Sequence, residues 1–175
     1  KLFWEKFGIT LKTLKLYNVE PIDYIFVNGN PIKTDKLAYC FTEYKDNKET
    51  YKIYQPHSEN YKWTNKHDYS TWQGWTQLPE TGEFLIITKS LKDVMFIRDN
   101  LGLPAVSLQA ETVFPKKHII DELKSRFFKL FIFYDNDYDA DENWGQIEGL
   151  KLKREFGIEN IVIPDVHKSK DFSDF

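Results

Sequence analysis

The sequence LFIFYDND at residues 130–137 indicates the fold class, because five apolar or aromatic residues run directly into an acidic tripeptide. A short, continuous apolar run is typical of a strand that is buried on both faces of a sheet. Three similar runs lie at 84–87, 105–108 and 161–163. We therefore predict four buried strands in the second half of the chain.

Helical patterns separate these predicted strands. Apolar residues recur at helical spacing in 91–101, 116–124 and 145–156. Strands that alternate with helices form a parallel sheet that is covered by helices on both faces. The fold class is therefore predicted to be α/β, with a four-stranded parallel sheet in a domain that covers residues 83–175.

Residues 1–82 are predicted to form a mixed α/β N-terminal subdomain. Residues 3–17 are predicted to be helical from their apolar spacing, and Thr10 is a candidate cap for a second short helix within this run. Segments 37–44 and 49–54 predict two strands that are joined by a polar hairpin. A turn signal and a segment that is predicted to be rich in loops lie at 28–31 and 55–77, respectively.

Composition excludes several classes of protein. No apolar run approaches the roughly 20 residues that span a bilayer. Cys40 is the only cysteine, so neither an internal disulfide nor a zinc ribbon can form, and we expect it to be a buried small apolar residue. The net charge of −3 is not the basic balance that is common in nucleic-acid-binding proteins. Nucleic-acid binding would therefore depend on how the charge is distributed.

Polar and charged residues follow all four predicted strands, at the edge where open parallel sheets bind ligands. In chain order, these residues include Lys89, Lys92, Asp93, Glu111, Asp135, Asp137, Lys170 and Asp171. Two carboxylates that leave one buried strand, as in Asp135-Asn136-Asp137, repel each other unless a cation lies nearby. Oxygen ligands with room for water suit Mg²⁺ or Mn²⁺.

The acidic tripeptide alone leaves other interpretations open. It could belong to an acidic loop that caps the next helix. Asp139, Asp141 and Glu142 also raise the possibility of a calcium loop. That interpretation is weaker, because Trp144 and Gly145 do not keep the ligand spacing of such a loop.

Residues 86–93 (IITKSLKD), the Asp135-Asn136-Asp137 tripeptide and Lys170-Asp171 resemble the motifs of the Toprim domain. That domain occurs in bacterial replicative primases, phage primase–helicases, topoisomerases and some nucleases. Its pattern is Glu-Gly after the first strand, an Asp a few residues on, and Asp-x-Asp after the third strand, and Asp93, Asp135 and Asp137 match it. The resemblance implies that the first strand lies between the second and third.

The N-terminal part is similar to primases rather than to other Toprim proteins. Residues 51–56 (YKIYQP) and 61–66 (YKWTNK) resemble diverged versions of the Lys-Tyr and aromatic-Lys segments of bacterial primases. The opening helical segment also resembles the layout of phage primases. The resemblance implies a primase core that joins ribonucleoside triphosphates on a single-stranded DNA template, with Mg²⁺ or Mn²⁺ as cofactor. It further implies a cytoplasmic location, in a bacterial host if the chain is phage-encoded, and association with a replicative helicase and a zinc-binding module in a longer chain.

The resemblance assigns a role to each candidate residue. The predicted catalytic residues are Lys89, Asp93, Glu111, Asp135 and Asp137. The predicted metal ligands are Asp135, Asp137 and Asp171. The predicted nucleotide and nucleic-acid contacts are Lys52, Lys62, Trp63, Lys66 and Lys170. Trp63, Trp72 and Trp75 could stack on bases, although packing in a small core is the more common role of each tryptophan.

One departure from the Toprim pattern concerns its first motif, where Lys89-Ser90 stands in place of Glu-Gly. We expect Lys89 to lie between Glu111 and Asp135, so that Glu111 supplies the missing carboxylate and Lys89 can contact a nucleotide phosphate. The alternative is a Toprim module that binds DNA and is either catalytically silent or a nuclease. A phospho-receiver domain is disfavoured, because its acidic pair follows the first strand, where Lys89 stands.

Overall fold

The computed structural model describes residues 2–45, 47–66, 68, 70–110 and 113–172, and for Lys66 only the backbone. The N-terminal part contains helices α1 (Leu2–Glu5) and α2 (Leu11–Leu16) and strands β1 (Val19–Pro21), β2 (Tyr24–Val27), β3 (Asn30–Lys33), β4 (Tyr39–Lys45), β5 (Lys48–Tyr54) and β6 (Trp63–Lys66). The remainder contains β7 (Gly82–Thr88), α3 (Leu91–Phe96), β8 (Ala105–Ser107), α4 (Lys117–Arg126), β9 (Phe127–Phe133), α5 (Trp144–Phe156) and β10 (Glu159–Ile161).

The N-terminal sheet is antiparallel and has the strand order β1-β4-β5-β6. The predicted pair of strands is confirmed as β4 and β5, which pair from Tyr39↔Tyr54 to Lys45↔Lys48. Strand β6 lies in the segment that was predicted to be rich in loops, so that prediction is wrong for residues 63–66. The turn signal at 28–31 is confirmed at Asn28 and Gly29, which join β2 and β3 into a separate hairpin.

The predicted helical segment 3–17 forms two short helices, in agreement with the second short helix that the candidate cap Thr10 indicated. Gly8 adopts a φ of +66° between them, a conformation that interrupts an α-helix. The predicted cap is confirmed: the Thr10 hydroxyl accepts a hydrogen bond from the Thr13 amide at 3.2 Å. The apolar spacing continues across the break, and it therefore gives no sign of the interruption.

The second sheet is parallel and has the order β10-β9-β7-β8. It confirms both the predicted α/β fold and the placement of its first strand, β7, between the second and third, β8 and β9. Its central register aligns Ile87 with Val106 on one side and with Ile132 on the other. The carboxyl ends of β7, β8 and β9 therefore meet at one edge of the sheet.

Both faces of the parallel sheet are covered, as predicted. One apolar cluster joins Ile86 and Phe133 of the sheet to Val94 of α3 and to Trp4 of the N-terminal part. The other joins sheet residues such as Ile87 to helices α4 and α5. Since the first cluster includes both parts of the chain, packing holds the antiparallel sheet against the parallel one. The predicted domain boundary at 82/83 stays a prediction.

Two further expectations concern burial and helix length. Cys40 is half-buried rather than buried, because it alternates along β4 with the buried residues Tyr39 and Phe41 and therefore lies on the less covered face of the antiparallel sheet. The helical pattern at 91–101 corresponds to α3 and a following π-helical turn, Ile97–Leu101.

In the described ranges, no helix has the length and apolar character needed to cross a membrane.

Candidate functional site at the edge of the parallel sheet

A cavity of about 590 Å³ lies between the carboxyl-terminal edge of the parallel sheet and strands β5 and β6. Its lining from the N-terminal part consists of Lys52, Tyr54, Lys62, Trp63 and Asn65. Its lining from the parallel sheet and the C-terminal segment consists of Lys89, Ser90, Lys92, Asp93, Gln109, Ala110, Asp135, Lys170 and Asp171. Because open parallel sheets bind ligands at this edge, the cavity is the candidate functional site.

Lys89 directly follows β7, and its side chain is only 4% exposed. Its Nζ lies 3.8 Å from Asp135 Oδ2 and 5.8 Å from the centre of the Tyr134 ring. The side chain therefore lies beside Asp135 as the strand order implies. Glu111, its expected neighbour on the other side, lies outside the described residues, and its catalytic role stays a prediction.

Asp93 combines a structural role with a position in the cavity. Ser90 caps α3: its Oγ accepts from the Asp93 amide at 3.2 Å and donates to Asp93 Oδ2 at 2.7 Å. Asp93 therefore takes part in the cap of α3, and it is 3% exposed. Burial raises the pKa of the Asp93 carboxyl, and the nearby charge of Asp171 adds to this effect.

Each of the three predicted metal-binding carboxylates is paired with a lysine. Besides the Lys89–Asp135 pair, Lys92 Nζ lies 3.2 Å from Asp171 Oδ2. Burial lowers the pKa of Lys92, but the charges of Asp171 and Asp93 outweigh it, so that the pKa rises above its ordinary value. Lys170 is ion-paired with Asp137. Lysine ammonium groups therefore neutralise part of the charge that the acidic sequence pattern concentrates here.

Asn136, the middle residue of the acidic tripeptide, fixes the position of its two neighbours. Its side chain is 2% exposed, donates to the Ile163 carbonyl and to Asp165 Oδ1, and accepts from Asn143. Its amide also donates to the Lys170 carbonyl at 2.8 Å. Asn136 therefore joins the end of β9, the start of α5 and the C-terminal segment, a role that the sequence analysis did not assign.

Helix α5 approaches this tripeptide closely through Gly145. A Cβ atom at Gly145 would lie 2.1 Å from the Asp135 carbonyl oxygen, a distance that real atoms do not tolerate. Asn143 caps the helix, and its Oδ1 also accepts from the Asp137 amide at 3.0 Å. The alternative that this loop caps the next helix is therefore observed for Asn143. This cap contacts the backbone of the tripeptide and does not use the carboxylates of Asp135 and Asp137.

Strands β5 and β6 supply lysine and aromatic side chains from the opposite wall. Lys52 is buried, its Nζ donates to the Gln109 carbonyl at 2.7 Å, and it lies 4.5 Å from the centre of the Trp63 ring. Trp63 stacks on Tyr54 with ring centres 4.4 Å apart and is 38% exposed. Lys62 is exposed at the rim. The side chain of Lys66 lies outside the described part of the chain.

The other two tryptophans are placed for packing. Trp72 is 1% exposed and belongs to the core cluster of the parallel sheet. Trp75 contacts it edge-on, with ring centres 6.1 Å apart. Neither lines the cavity, so Trp63 is the one of the three that stays a candidate for base stacking.

The described oxygen atoms give the cavity a limited fit to a divalent metal. Asp93 Oδ1 and Gln109 Oε1 are buried and accept no hydrogen bond from described residues. The described chain contains no group of three His, Cys, Asp or Glu side chains placed to hold a metal ion, and Asp139 and Asp141 are exposed. Mg²⁺ commonly binds through one or two carboxylates plus substrate phosphates. The donors therefore fit a metal that arrives with a phosphorylated ligand, not a preformed protein cage.

The balance of charge also favours an anionic ligand. Five lysines and three aspartates are among the described residues of the lining. The chain as a whole has a net charge of −3. Positive charge is thus concentrated in the cavity of an acidic protein, which attracts phosphorylated ligands.

Comparison with known proteins gives a match in structure only. No protein-family model and no curated protein sequence matches the chain. Its structure is similar to the Aquifex aeolicus primase, zinc-binding and RNA polymerase domains, with a TM-score of 0.66 and 10% identity over 99% of this chain. It is also similar to the primase fragment of the bacteriophage T7 primase-helicase, with a TM-score of 0.62 and 15% identity over 95% of this chain.

A third similar structure is the DnaG primase catalytic domain bound to single-stranded DNA, with a TM-score of 0.62 and 12% identity over 97% of this chain. The chain spans 52%, 65% and 69% of the lengths of the Aquifex, T7 and DnaG chains, respectively. All three likenesses extend over both sheets. The antiparallel sheet followed by a Toprim-type parallel sheet is therefore the fold of a primase RNA polymerase domain.

Proposed function

We propose that this chain is the RNA polymerase core of a primase, which joins ribonucleoside triphosphates on a single-stranded DNA template. The observation that supports this most directly is the composition of the cavity. The carboxylates at the ends of the parallel strands face the lysines and stacked aromatic rings of β5 and β6. Such a cavity offers lysines for phosphate groups and an aromatic ring for a base.

Catalysis of phosphoryl transfer consists largely of positioning and charge neutralisation. Asp135, Asp137 and Asp171 would hold Mg²⁺ or Mn²⁺, which would neutralise the triphosphate and lower the pKa of the attacking 3′-hydroxyl. Asp93 lines the same cavity, and one of its buried oxygens accepts no hydrogen bond from the described residues. It would orient a metal-bound water or the metal itself. Glu111 is proposed to add a further carboxylate from the neighbouring strand.

The N-terminal wall would bind the template. Trp63 lines the cavity, is 38% exposed and stacks on Tyr54. Base stacking on an aromatic ring tolerates any sequence. Lys52, Lys62 and Lys170 would contact phosphates, and we propose the same role for Lys66. Single-stranded DNA bound to the similar DnaG domain supports this choice of partner.

The proposal is tested by incubating the chain with single-stranded DNA, labelled ribonucleotides and Mg²⁺ or Mn²⁺, and resolving the products on a gel. We expect short, template-dependent RNA from the wild type and from Asp121→Asn, an exposed carboxylate on α4 that is paired with Lys117. Asp135→Asn should abolish the products. Equal synthesis by Asp135→Asn would contradict the assignment of this cavity as the active site.

The lysine pairing of the carboxylates supports a second candidate, a Toprim module that binds nucleic acid without synthesis. The Lys89–Asp135 pair places a cation where the Toprim pattern has a glutamate. Such a module would bind single-stranded DNA and yield no RNA under any metal condition. Cleavage of the DNA in the same reactions would instead indicate a nuclease.

A further inference from the structure

Lys89 is a buried cation beside a carboxylate of the candidate site. Its side chain is 4% exposed, whereas the neighbouring Asp135 is 19% exposed and opens to the cavity. Lysine is rarely buried unless it is paired with an opposite charge. Asp135 therefore compensates Lys89, and Lys89 partly neutralises Asp135, before any ligand enters.

A divalent metal that approaches Asp135 must compete with this ammonium group. At 3.8 Å from the carboxylate oxygen, Lys89 would lie near any ion bound to the same carboxylate. Like charges at such a separation repel strongly in a partly buried site. Metal binding to the free protein is therefore weakened.

A triphosphate changes this balance because it offers Lys89 another negative partner. Lysine binds phosphate as a compact point charge on a flexible stem. Lys89 lines the same cavity as Asp135, Lys92 and Lys170. Once a phosphate shares the ammonium group, Asp135 becomes available to a metal ion.

We propose that Lys89 is an internal counterion that makes metal binding at Asp135 depend on triphosphate binding. This inference rests on the proposed function for the identity of the ligand. It assigns Lys89 a positioning role that the glutamate of the Toprim pattern cannot have. The metal is then recruited together with the nucleotide.

The test measures two affinities of Lys89→Met, which removes the charge and keeps an unbranched apolar stem. Mn²⁺ binding without nucleotide, followed by electron paramagnetic resonance, should tighten about tenfold as one buried positive charge is lost. ATP binding in EDTA, followed by calorimetry, should weaken about tenfold as one phosphate contact is lost. A folding defect would weaken both affinities, so the opposite signs identify the counterion role.

Lys129→Met is the matched control, because Lys129 is also paired with a carboxylate, Glu159, at 2.8 Å but lies outside the cavity. It should leave both affinities unchanged, and Lys89→Arg should keep both within about twofold of the wild type. If Lys89→Met does not fold, Lys89→Gln replaces it. The inference is overturned if Mn²⁺ binding does not tighten, or if ATP binding in EDTA does not weaken, in the folded variant.

These results are independent of RNA synthesis. If the wild type synthesises no RNA but Lys89→Met shows the two opposite changes in affinity, the counterion role of Lys89 is supported and the proposed function is rejected. If the wild type synthesises RNA but Lys89→Met does not show those changes in affinity, the proposed function is supported and the counterion role is rejected.

Discussion

Asn136 shows how a single uncharged residue organises the acidic site. Three side-chain hydrogen bonds connect it to Ile163, Asp165 and Asn143. Its neighbours Asp135 and Asp137 are ion-paired with Lys89 and Lys170, respectively. The sequence presents Asn136 only as the spacer of an Asp-x-Asp pattern, because its partners lie 7 to 29 residues further along the chain.

Asn136→Ala is therefore expected to lower the free energy of unfolding by about 1–3 kcal/mol, since buried partners would lose their hydrogen bonds. Urea unfolding followed by circular dichroism measures this change. Asn60→Ala, in an exposed loop, is the matched control and should be nearly neutral. A loss for Asn136→Ala as small as that of the control would show that these bonds do not stabilise the fold.

Glu43 is a second residue whose environment has a measurable consequence. It is 3% exposed, and its Oε1 accepts a hydrogen bond from the Gly74 amide at 3.1 Å. Burial raises the pKa of the Glu43 carboxyl from 4.5 to about 8, against a smaller lowering effect of that hydrogen bond. The folded protein therefore retains a proton that the unfolded chain releases above pH 4.5.

The stability from protonated Glu43 should be complete below pH 4.5 and should be lost as the pH rises to about 8. Glu43→Gln has no carboxyl to ionise. Between pH 6 and pH 8, its free energy of unfolding should therefore fall by about 2 kcal/mol less than that of the wild type. Urea unfolding at both pH values measures the difference. Glu83→Gln, at an exposed position, should behave like the wild type, and parallel pH profiles for Glu43→Gln and the wild type would refute the assignment.

At the scale of helices and strands, the close packing of α5 against the end of β9 determines where Asp135 lies. Gly145→Ala would place a methyl group against the Asp135 carbonyl, and overpacking of this kind costs about 1–3 kcal/mol. Gly149→Ala, four residues along the same helix, meets only the Asn160 side chain, which can rotate. Thermal unfolding should therefore show a larger loss for Gly145→Ala. Equal losses would mean that α5 can shift without affecting β9.

The elements that the sequence predicted are those with strong local patterns. Three of the four apolar runs became β7, β8 and β9, because burial on both faces requires continuous apolar residues. The prediction of a fourth buried strand at 161–163 is wrong, because β10 shares only Ile161 with that run and is an edge strand with Glu159 and Ile161 exposed. Strand β6 was missed, because Trp63-Thr64-Asn65-Lys66 is short and polar and is defined only by pairing with β5. Thr10 indicated a second short helix, but the position of the break at Gly8 was not predicted, because apolar periodicity does not report backbone φ.

At the scale of the whole molecule, the candidate functional site lies where the two sheets meet. Sequence patterns placed Asp93, Asp135 and Asp171 at one edge of the parallel sheet, and the cavity contains all three. They did not show that Lys92 pairs with Asp171, 79 residues away. Pairings of this kind depend on tertiary placement, which a local motif does not encode.

Because Trp63 lines the cavity between the two sheets, we expect template binding to depend on it. Trp63→Ala should weaken binding of a fluorescent single-stranded DNA by about tenfold, within the range of about 1–3 kcal/mol for one stacked base. Fluorescence anisotropy at fixed salt measures this affinity. Trp144→Ala, which removes a 52% exposed tryptophan outside the cavity, should have little effect. Equal effects of the two variants would place the DNA elsewhere.

Extension of an RNA primer already annealed to a DNA template is the most direct test of an RNA polymerase core, because it does not require initiation. With Mg²⁺ or Mn²⁺ and one labelled ribonucleotide, the wild type is predicted to add the nucleotide that the template specifies, and Asp135→Asn is predicted to add none. Failure of the folded wild type to extend the primer with either metal would contradict the proposed polymerase function.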